Sequence, residues 1–254
     1  MIKIPEDIAP YLEIKDCSSF PISRYYVTKD MDDILKEIVK MHETAQKLQK
    51  MGISYLNSTI LYGPPGTGKT TAARYIAYKL KKPLAKINFA QLIGGEFGTT
   101  AKNLSAIFRF IADIDCIFLL DEIDCVGIKR GTESAATGGE LARVTITLMQ
   151  ELDYFEDHKL KVILMAATNR IDILDEALVS RFYQHQLKPL TNEDTENYAK
   201  KFLDDVGVPY DEYNIENYAG ENSALTQRNV EKDMVRCIAE WLNKGGDFIL
   251  NHIG

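Results

Sequence analysis

Cysteine is scarce in this chain, tryptophan occurs once, and positive charge is in deficit. The four cysteines, Cys17, Cys116, Cys125 and Cys237, form no C-x-x-C pair and show no zinc-ligand spacing. That leaves no cysteine metal module to read and fits a reducing compartment, with Cys116 buried in an apolar strand. No apolar run approaches the ~20 residues of a membrane helix. The opening Met1-Ile2-Lys3-Ile4-Pro5-Glu6-Asp7 lacks the apolar centre of a signal peptide. The expectation is a soluble, cytoplasmic protein with no membrane partner. Lys and Arg number 30 against 37 Asp and Glu, a net charge of -7. Such a balance lacks the footprint of a nucleic-acid binder, so nucleic acid is disfavoured as a partner. Internal repeats and low-complexity tracts are missing too.

What is present is a glycine-rich stretch around which the rest is arranged, Gly63-Pro64-Pro65-Gly66-Thr67-Gly68-Lys69-Thr70. A glycine followed four residues later by Gly-Lys-Thr is the phosphate-binding loop pattern. Glycines let backbone N–H groups curl around a phosphate without Cβ clashes. Lys69 places a charge on the outer phosphates, and the Thr70 hydroxyl can hold Mg²⁺. Ser58 to Tyr62 reads as a strand entering the loop and Thr71 to Leu80 as a helix leaving it, which is the context the pattern requires. An accidental glycine turn is the bland alternative, and the flanks weigh against it.

With 254 residues, 45% hydrophobic and 26% charged, the chain suits a large domain followed by a small one. Residues 1–29 read as an irregular N-terminal arm broken by Pro5, Pro10 and Pro21. Residues 30–189 alternate helix and strand. Ile34, Ile38, Met41, Ala45 and Leu48 mark a helix over 30–50. Strands are predicted at 58–62, 84–89, 116–120, 162–167 and 184–188, with helices at 100–111 and 140–153. The continuous apolar run Cys116-Ile117-Phe118-Leu119-Leu120 implies burial on both faces of a parallel sheet. The fold class is therefore α/β, a three-layer αβα domain on a five-stranded parallel sheet, whose ligands bind at the C-terminal strand ends. Residues 190–254 read as a small all-helical domain. Thr191 to Asp194 resembles a capping box, and a helix over 227–244 is capped by Thr226.

Asp121-Glu122 ends the third predicted strand, on the same sheet edge as the loop. Asp121 is placed to hold Mg²⁺ and Glu122 to polarise a water for in-line attack on a γ-phosphate. Asn169 closes the fourth strand, where an amide could orient that water; an ordinary turn asparagine is the plainer alternative.

These stretches together resemble the AAA+ ATPase superfamily in its AAA branch. Gly63 to Thr70 corresponds to Walker A and Ile117 to Asp124 to Walker B. Ala167 to Leu178, ending at Ser180-Arg181-Phe182, resembles the second region of homology. The likeness covers residues ~30 to 245 with the motifs in family order. It implies ATP/ADP and Mg²⁺ as cofactors. The nucleotide set it implies is Gly63, Pro64, Pro65, Gly66, Thr67, Gly68, Lys69, Thr70, Thr71, Asp121 and Arg228, with Thr70 and Asp121 toward the metal. Lys69, Glu122, Asn169 and Arg181 are the implied catalytic group. Asn169 resembles sensor 1, Arg228 the sensor 2 arginine, and Arg181 an arginine finger acting on the adjacent subunit's ATP. A surface guanidinium pairing with Asp175 or Glu176 is the alternative for Arg181. A finger in trans implies a homo-oligomeric ring, normally a hexamer in this family.

The chain departs from the family pattern in places. Gln184 and His185 stand where a second arginine is common. The pore-loop region reads Gly95-Glu96-Phe97-Gly98, with Phe97 as the aromatic that would touch a protein client. Lys129 to Gly139 is small and polar and resembles a second pore loop. The resulting expectation is ATP hydrolysis to ADP and phosphate coupled to remodelling a macromolecular client, in all preference a protein. The alternatives are a nucleotide-gated assembly switch with little turnover and, less favoured, a DNA-associated motor.

Overall fold

The computed structural model describes residues 2–94, 99–127, 138–158 and 161–252. Phe97 and most of the second predicted pore loop lie outside the described residues. In chain order the elements are β1 (Leu12–Lys15), α1 (Lys29–Lys50), β2 (Asn57–Tyr62), α2 (Lys69–Leu80), β3 (Leu84–Ile87), α3 (Phe89–Ile93), α4 (Thr100–Ala112), β4 (Ile117–Asp121), α5 (Gly138–Asp157), β5 (Ile163–Thr168), α6 (Glu176–Val179), β6 (Tyr183–Gln186), α7 (Asn192–Val206), α8 (Glu212–Glu221) and α9 (Gln227–Lys244). They fall into two compact units. One comprises Met1–Phe20, Asp33–Gly63 and Lys69–Gln186; the other comprises Pro21–Asp32, Pro64–Gly68 and Leu187–Gly254.

The first unit is built on a six-stranded sheet of order β1-β3-β4-β5-β2-β6. Five strands run parallel, as the apolar runs require, and β1 is antiparallel to β3. Every residue of β5 is buried, and every residue of β4 except Asp121. Both faces of the sheet's centre are therefore covered, which is why these strands show no polar alternation. Helix α4 buries Leu104, Ile107, Phe108 and Ile111, and α5 buries Val144, Leu148, Leu152 and Phe155. Phe108 meets Phe118 edge-on at 5.1 Å between ring centres and lies 5.0 Å from Phe155, a packing worth about 0.5–1.5 kcal/mol per pair beyond burial.

Two expectations about the sheet need correction. It has six strands rather than five, because Leu12–Lys15, read as part of an irregular arm, pairs along β3 from Leu12↔Ile87 to Lys15↔Leu84. Leu12 supplies the reason: its side chain is buried in the main core beside Ile8. The second predicted strand also stops early. Asn88 leaves the ladder and its side-chain oxygen accepts the Gln91 N–H at 3.1 Å, which caps α3.

The second unit has its own core, including Tyr198, Phe202, Leu203, Ile215, Tyr218, Val230, Met234, Phe248 and Leu250. The capping box at Thr191 and Asp194 is present, and Thr226 with Asn229 forms another. Helix α7 ends at Gly207, whose φ of 70° suits glycine. Asp233, buried on α9, accepts the Tyr218 hydroxyl at 2.8 Å and meets His252 Nδ1 at 2.7 Å. Residues 21–32 join this unit through Arg24 to Asp205 at 2.7 Å and Tyr26 to Asp194 at 3.0 Å.

Candidate active site

Parallel register determines which side chains meet. Asp121 of β4 lies opposite Ala167 of β5, and Tyr62 of β2 lies opposite Thr168. The end of β2 that becomes the glycine loop, the Asp121-Glu122 pair and Asn169 therefore share one edge of the sheet.

The loop itself passes from β2 to α2. Lys69 opens α2 with only 8% of its surface exposed. Its Nζ donates to the Gly63 carbonyl at 2.8 Å, which folds the side chain back toward the end of β2. Thr67 donates to the Pro64 carbonyl at 3.0 Å. Gly66 and Gly68 hold φ near +89° and +90°, the left-handed region where an L side chain is strained. Space is restricted as well. Within the second unit, the Gly66 carbonyl accepts the Arg228 N–H at 3.3 Å. A Cβ on Gly66 would stand 2.7 Å from Thr226 Oγ1 and 3.0 Å from the Arg228 Cβ. Gly66→Val should therefore lose nucleotide affinity, on the scale of the ~1–3 kcal/mol that such backbone strain carries. Titration with a fluorescent nucleotide checks this, and unaltered affinity would show the loop tolerates a Cβ.

Thr70 and Asp121 are brought into contact. The Thr70 hydroxyl reaches Asp121 Oδ1 at 3.2 Å and Oδ2 at 3.1 Å. A hydroxyl and a carboxylate in contact form an oxygen donor set of the type Mg²⁺ takes, which usually keeps several waters besides. The residues fit the ion that the sequence implies. Asp121 Oδ2 also accepts from Lys86 of β3, at 2.5 Å.

Glu122 follows immediately and adopts φ 55°, ψ 44°. A left-handed non-glycine residue is uncommon and costs about 1–2 kcal/mol. Glu122 is exposed, and among the described residues its carboxylate makes no hydrogen bond or ion pair. A solvent-exposed carboxylate next to Asp121 is of the chemical type that can take a proton from water. Asn169 is exposed at the end of β5. Its position is steadied by its neighbours: Thr168 donates to Asp124 at 2.7 Å, and the Arg170 N–H donates to Thr168 Oγ1 at 2.9 Å.

Arg181 is not brought to this edge. Its carbonyl accepts the Ser58 hydroxyl at 2.8 Å, near the start of β2. Five residues of strand separate Ser58 from Gly63, roughly 16 Å at ~3.3 Å each. The guanidinium pairs with Asp153 at 2.7 Å and 3.0 Å and donates to the Ala177 carbonyl at 2.6 Å. The expected alternative partners, Asp175 and Glu176, are not the ones it bonds. The Asp153 hydrogen bond raises the Arg181 pKa further. A cavity of about 340 Å³ opens beside it, lined among others by Tyr55, Ser58, Glu156 and Tyr183. Arg228 lies exposed in the first turn of α9.

Sequence reasoning missed Lys86, Asp153 and the close approach of Thr226 to Gly66. Lys86 carries the one signal that could have been read: a charged residue inside an otherwise apolar strand next to the Asp121 strand. The cysteines take no part. Burial pushes the Cys116 thiol up to about 12, so it stays protonated. Among the described residues no cluster of three His, Cys, Asp or Glu could hold a metal, and no helix is long and apolar enough to cross a membrane.

A parallel sheet whose first parallel strand turns through a glycine loop into a helix, with Asp-Glu ending the strand two places away, defines a P-loop nucleoside triphosphatase. The model of the ATPase family associated with various cellular activities (AAA) matches residues 59–190, and the chain belongs to that family. Among curated relatives, the 26S proteasome regulatory subunit 8 homolog of Encephalitozoon cuniculi is 32% identical over 182 residues, covering 69% of this chain and 46% of its own length. The 26S proteasome regulatory subunit 8 of Dictyostelium discoideum is 34% identical over 183 residues, covering 69% and 45%. The 26S proteasome regulatory subunit 6A of Schizosaccharomyces pombe is 32% identical over 200 residues, covering 76% and 45%. The chain thus spans about half the length of the curated relatives it matches.

Proposed function

We propose that this chain is the ATP-hydrolysing module of a subunit ring that remodels or unfolds a protein client. The observation that supports it most is the contact of Thr70 with Asp121 next to the exposed Glu122. In this reading the glycine loop and Lys69 bind the phosphates, and Thr70 and Asp121 hold Mg²⁺. Held there, the ion would supply neutralisation of phosphate charge. Glu122 accepts the proton of the attacking water, and Asn169 orients that water. Arg228, in the first turn of α9, shares a unit with the glycine loop and responds to the nucleotide's phosphates.

Arg181, with its backbone tied to Ser58, acts on a neighbouring subunit's ATP. A ring follows from that role. Relatives named as differently numbered subunits, 8 and 6A, favour a ring of unlike subunits over the homo-hexamer expected from the sequence. A proteasome-like client, an unfolding protein, accords with the same names.

Steady-state hydrolysis with and without an unfolded protein such as casein tests the proposal. Turnover that rises with the unfolded protein is expected. The engagement of Arg181 by Asp153 in the same chain favours a second reading, a nucleotide-gated assembly switch. Nucleotide that is bound but not hydrolysed, at any protein concentration, would leave only that reading.

A further inference from the structure

Lys86 has no part in the site as read so far, yet its ammonium contacts the carboxylate on which the metal side depends. Its Nζ stands 2.5 Å from Asp121 Oδ2, while the Thr70 hydroxyl reaches both oxygens of the same group. Asp121 is mostly buried, with 12% of its side chain exposed, whereas Lys86 is 37% exposed. A partly buried carboxylate with no cation near it is unfavourable, and the lysine relieves that. The relief conflicts with metal binding. A divalent ion takes carboxylate oxygens at about 2.0–2.1 Å, and a second cation on the same oxygen repels it through a medium that screens poorly.

The lysine has somewhere else to go. It lines a cavity of roughly 650 Å³ together with Glu13, Asn88, Gln91, Asp121 and Glu122. Glu13 lies directly opposite Lys86 in the β1–β3 register, so strand β1 carries a second carboxylate within the same cavity; Lys15 pairs with it at 2.8 Å in an exposed contact of the kind that contributes little stability. A long flexible ammonium stem can exchange one carboxylate for the other without moving the backbone.

We propose that Lys86 is a positioning residue that serves as the resident counter-ion of Asp121 in the metal-free site. It yields to Mg²⁺ when the nucleotide loads and turns toward Glu13. Lys86 thereby sets the Mg²⁺ concentration at which the nucleotide site becomes metal-loaded. This rests on reading Thr70 and Asp121 as the metal side of that site.

The test needs no turnover. Binding of a fluorescent ADP to the full chain is followed while Mg²⁺ is titrated from an EDTA-treated start, and the Mg²⁺ midpoint is compared across variants. Lys86→Met, and Lys86→Gln as a second variant should methionine impair folding, are expected to lower that midpoint about tenfold, from the removed repulsion. Lys86→Arg, which keeps the charge, is expected to retain the wild-type midpoint. A midpoint that is unmoved or raised in both neutral variants overturns the proposal. Asp121→Asn separates the two layers of the argument. If full Mg²⁺ dependence survives in Asp121→Asn, the site reading fails and Lys86 fails with it. If the dependence is lost there and Lys86→Met still does not move, the Lys86 proposal alone is wrong.

Discussion

Glu122→Gln holds nucleotide and does not turn it over. The substitution is nearly isosteric, and the residue is exposed without a hydrogen bond among its described neighbours, so neither the fold nor the loop depends on the carboxylate. What disappears is the proton acceptor next to the metal-side aspartate. A positioned general base contributes about 10²–10⁴ in rate, so hydrolysis should fall by that factor, about 3–5 kcal/mol of barrier. Nucleotide affinity should stay near the wild-type value. The two are separable by measuring equilibrium nucleotide binding and phosphate release on the same preparation. Wild-type turnover in this variant would remove Glu122 from the chemistry and with it the hydrolytic assignment. The left-handed backbone at Glu122 gives a second reason to expect a clean result, because the glutamine side chain suffers no more from that conformation than the glutamate does.

Arg181→Ala should be comparably severe, with a different signature. An arginine acting on the transferring phosphoryl group is typically worth 10³–10⁵ in rate, and its removal should cost on that order. Because its backbone is anchored at the start of β2, far from its own loop, the loss should appear only where subunits are assembled. Wild-type turnover per subunit should rise with protein concentration until assembly saturates. Arg181→Ala should show a low, flat rate over the same range while binding nucleotide normally. Where the relevant ring contains unlike subunits, the same comparison is made with its partners present. A variant rate that tracks the wild type at every concentration would return Arg181 to the role of a surface ion pair with Asp153. The bidentate contact with Asp153 is the competing force in this experiment. A surface pair contributes about 0–1 kcal/mol at the median and more in bidentate geometry, so the guanidinium leaves Asp153 for a phosphate at a modest cost.

How much of this was legible beforehand depended on the range of the interaction. The glycine loop, the Asp121-Glu122 pair and the capping box at Thr191 are local patterns, and each lies where its spacing indicated. The buried strands β4 and β5 were readable for the same reason, since continuous apolar residues need no partner to declare themselves. Strand β1 was not. Its Leu-Glu-Ile-Lys is four residues long, and its partner in β3 lies about 75 residues away, 87 − 12 for Leu12 and Ile87. Nothing local separates such a segment from an arm. Phe89 reads in sequence as the end of the strand that follows Pro83, and the Asn88 cap turns the chain into α3 instead. Asp153 and Lys86 escaped because their partners are set by topology alone: Arg181 is 28 residues from Asp153, and Asp121 is 35 residues from Lys86. In the candidate site, residue types could be read from the motifs, whereas the ion pairs that restrain those residues could not.

The strand that carries the glycine loop has a particular history during synthesis. In the finished sheet β2 lies between β5 and β6, and its neighbour across the first pairing, Asn57↔Ile163, is 163 − 57 = 106 residues further along. At a translation rate of about 5–20 residues per second, β2 leaves the ribosome roughly 5–20 s before the strand it pairs with. Its apolar residues Ile60 and Leu61, fully covered in the finished fold, have no sheet to join during that interval. Both strand partners of β2, β5 and β6, arrive late, so the nascent chain carries an unpaired apolar strand over that interval. The glycine loop that follows this strand bonds through the Gly66 carbonyl to the Arg228 N–H in the finished fold, so its surroundings are complete only after residue 228 has emerged.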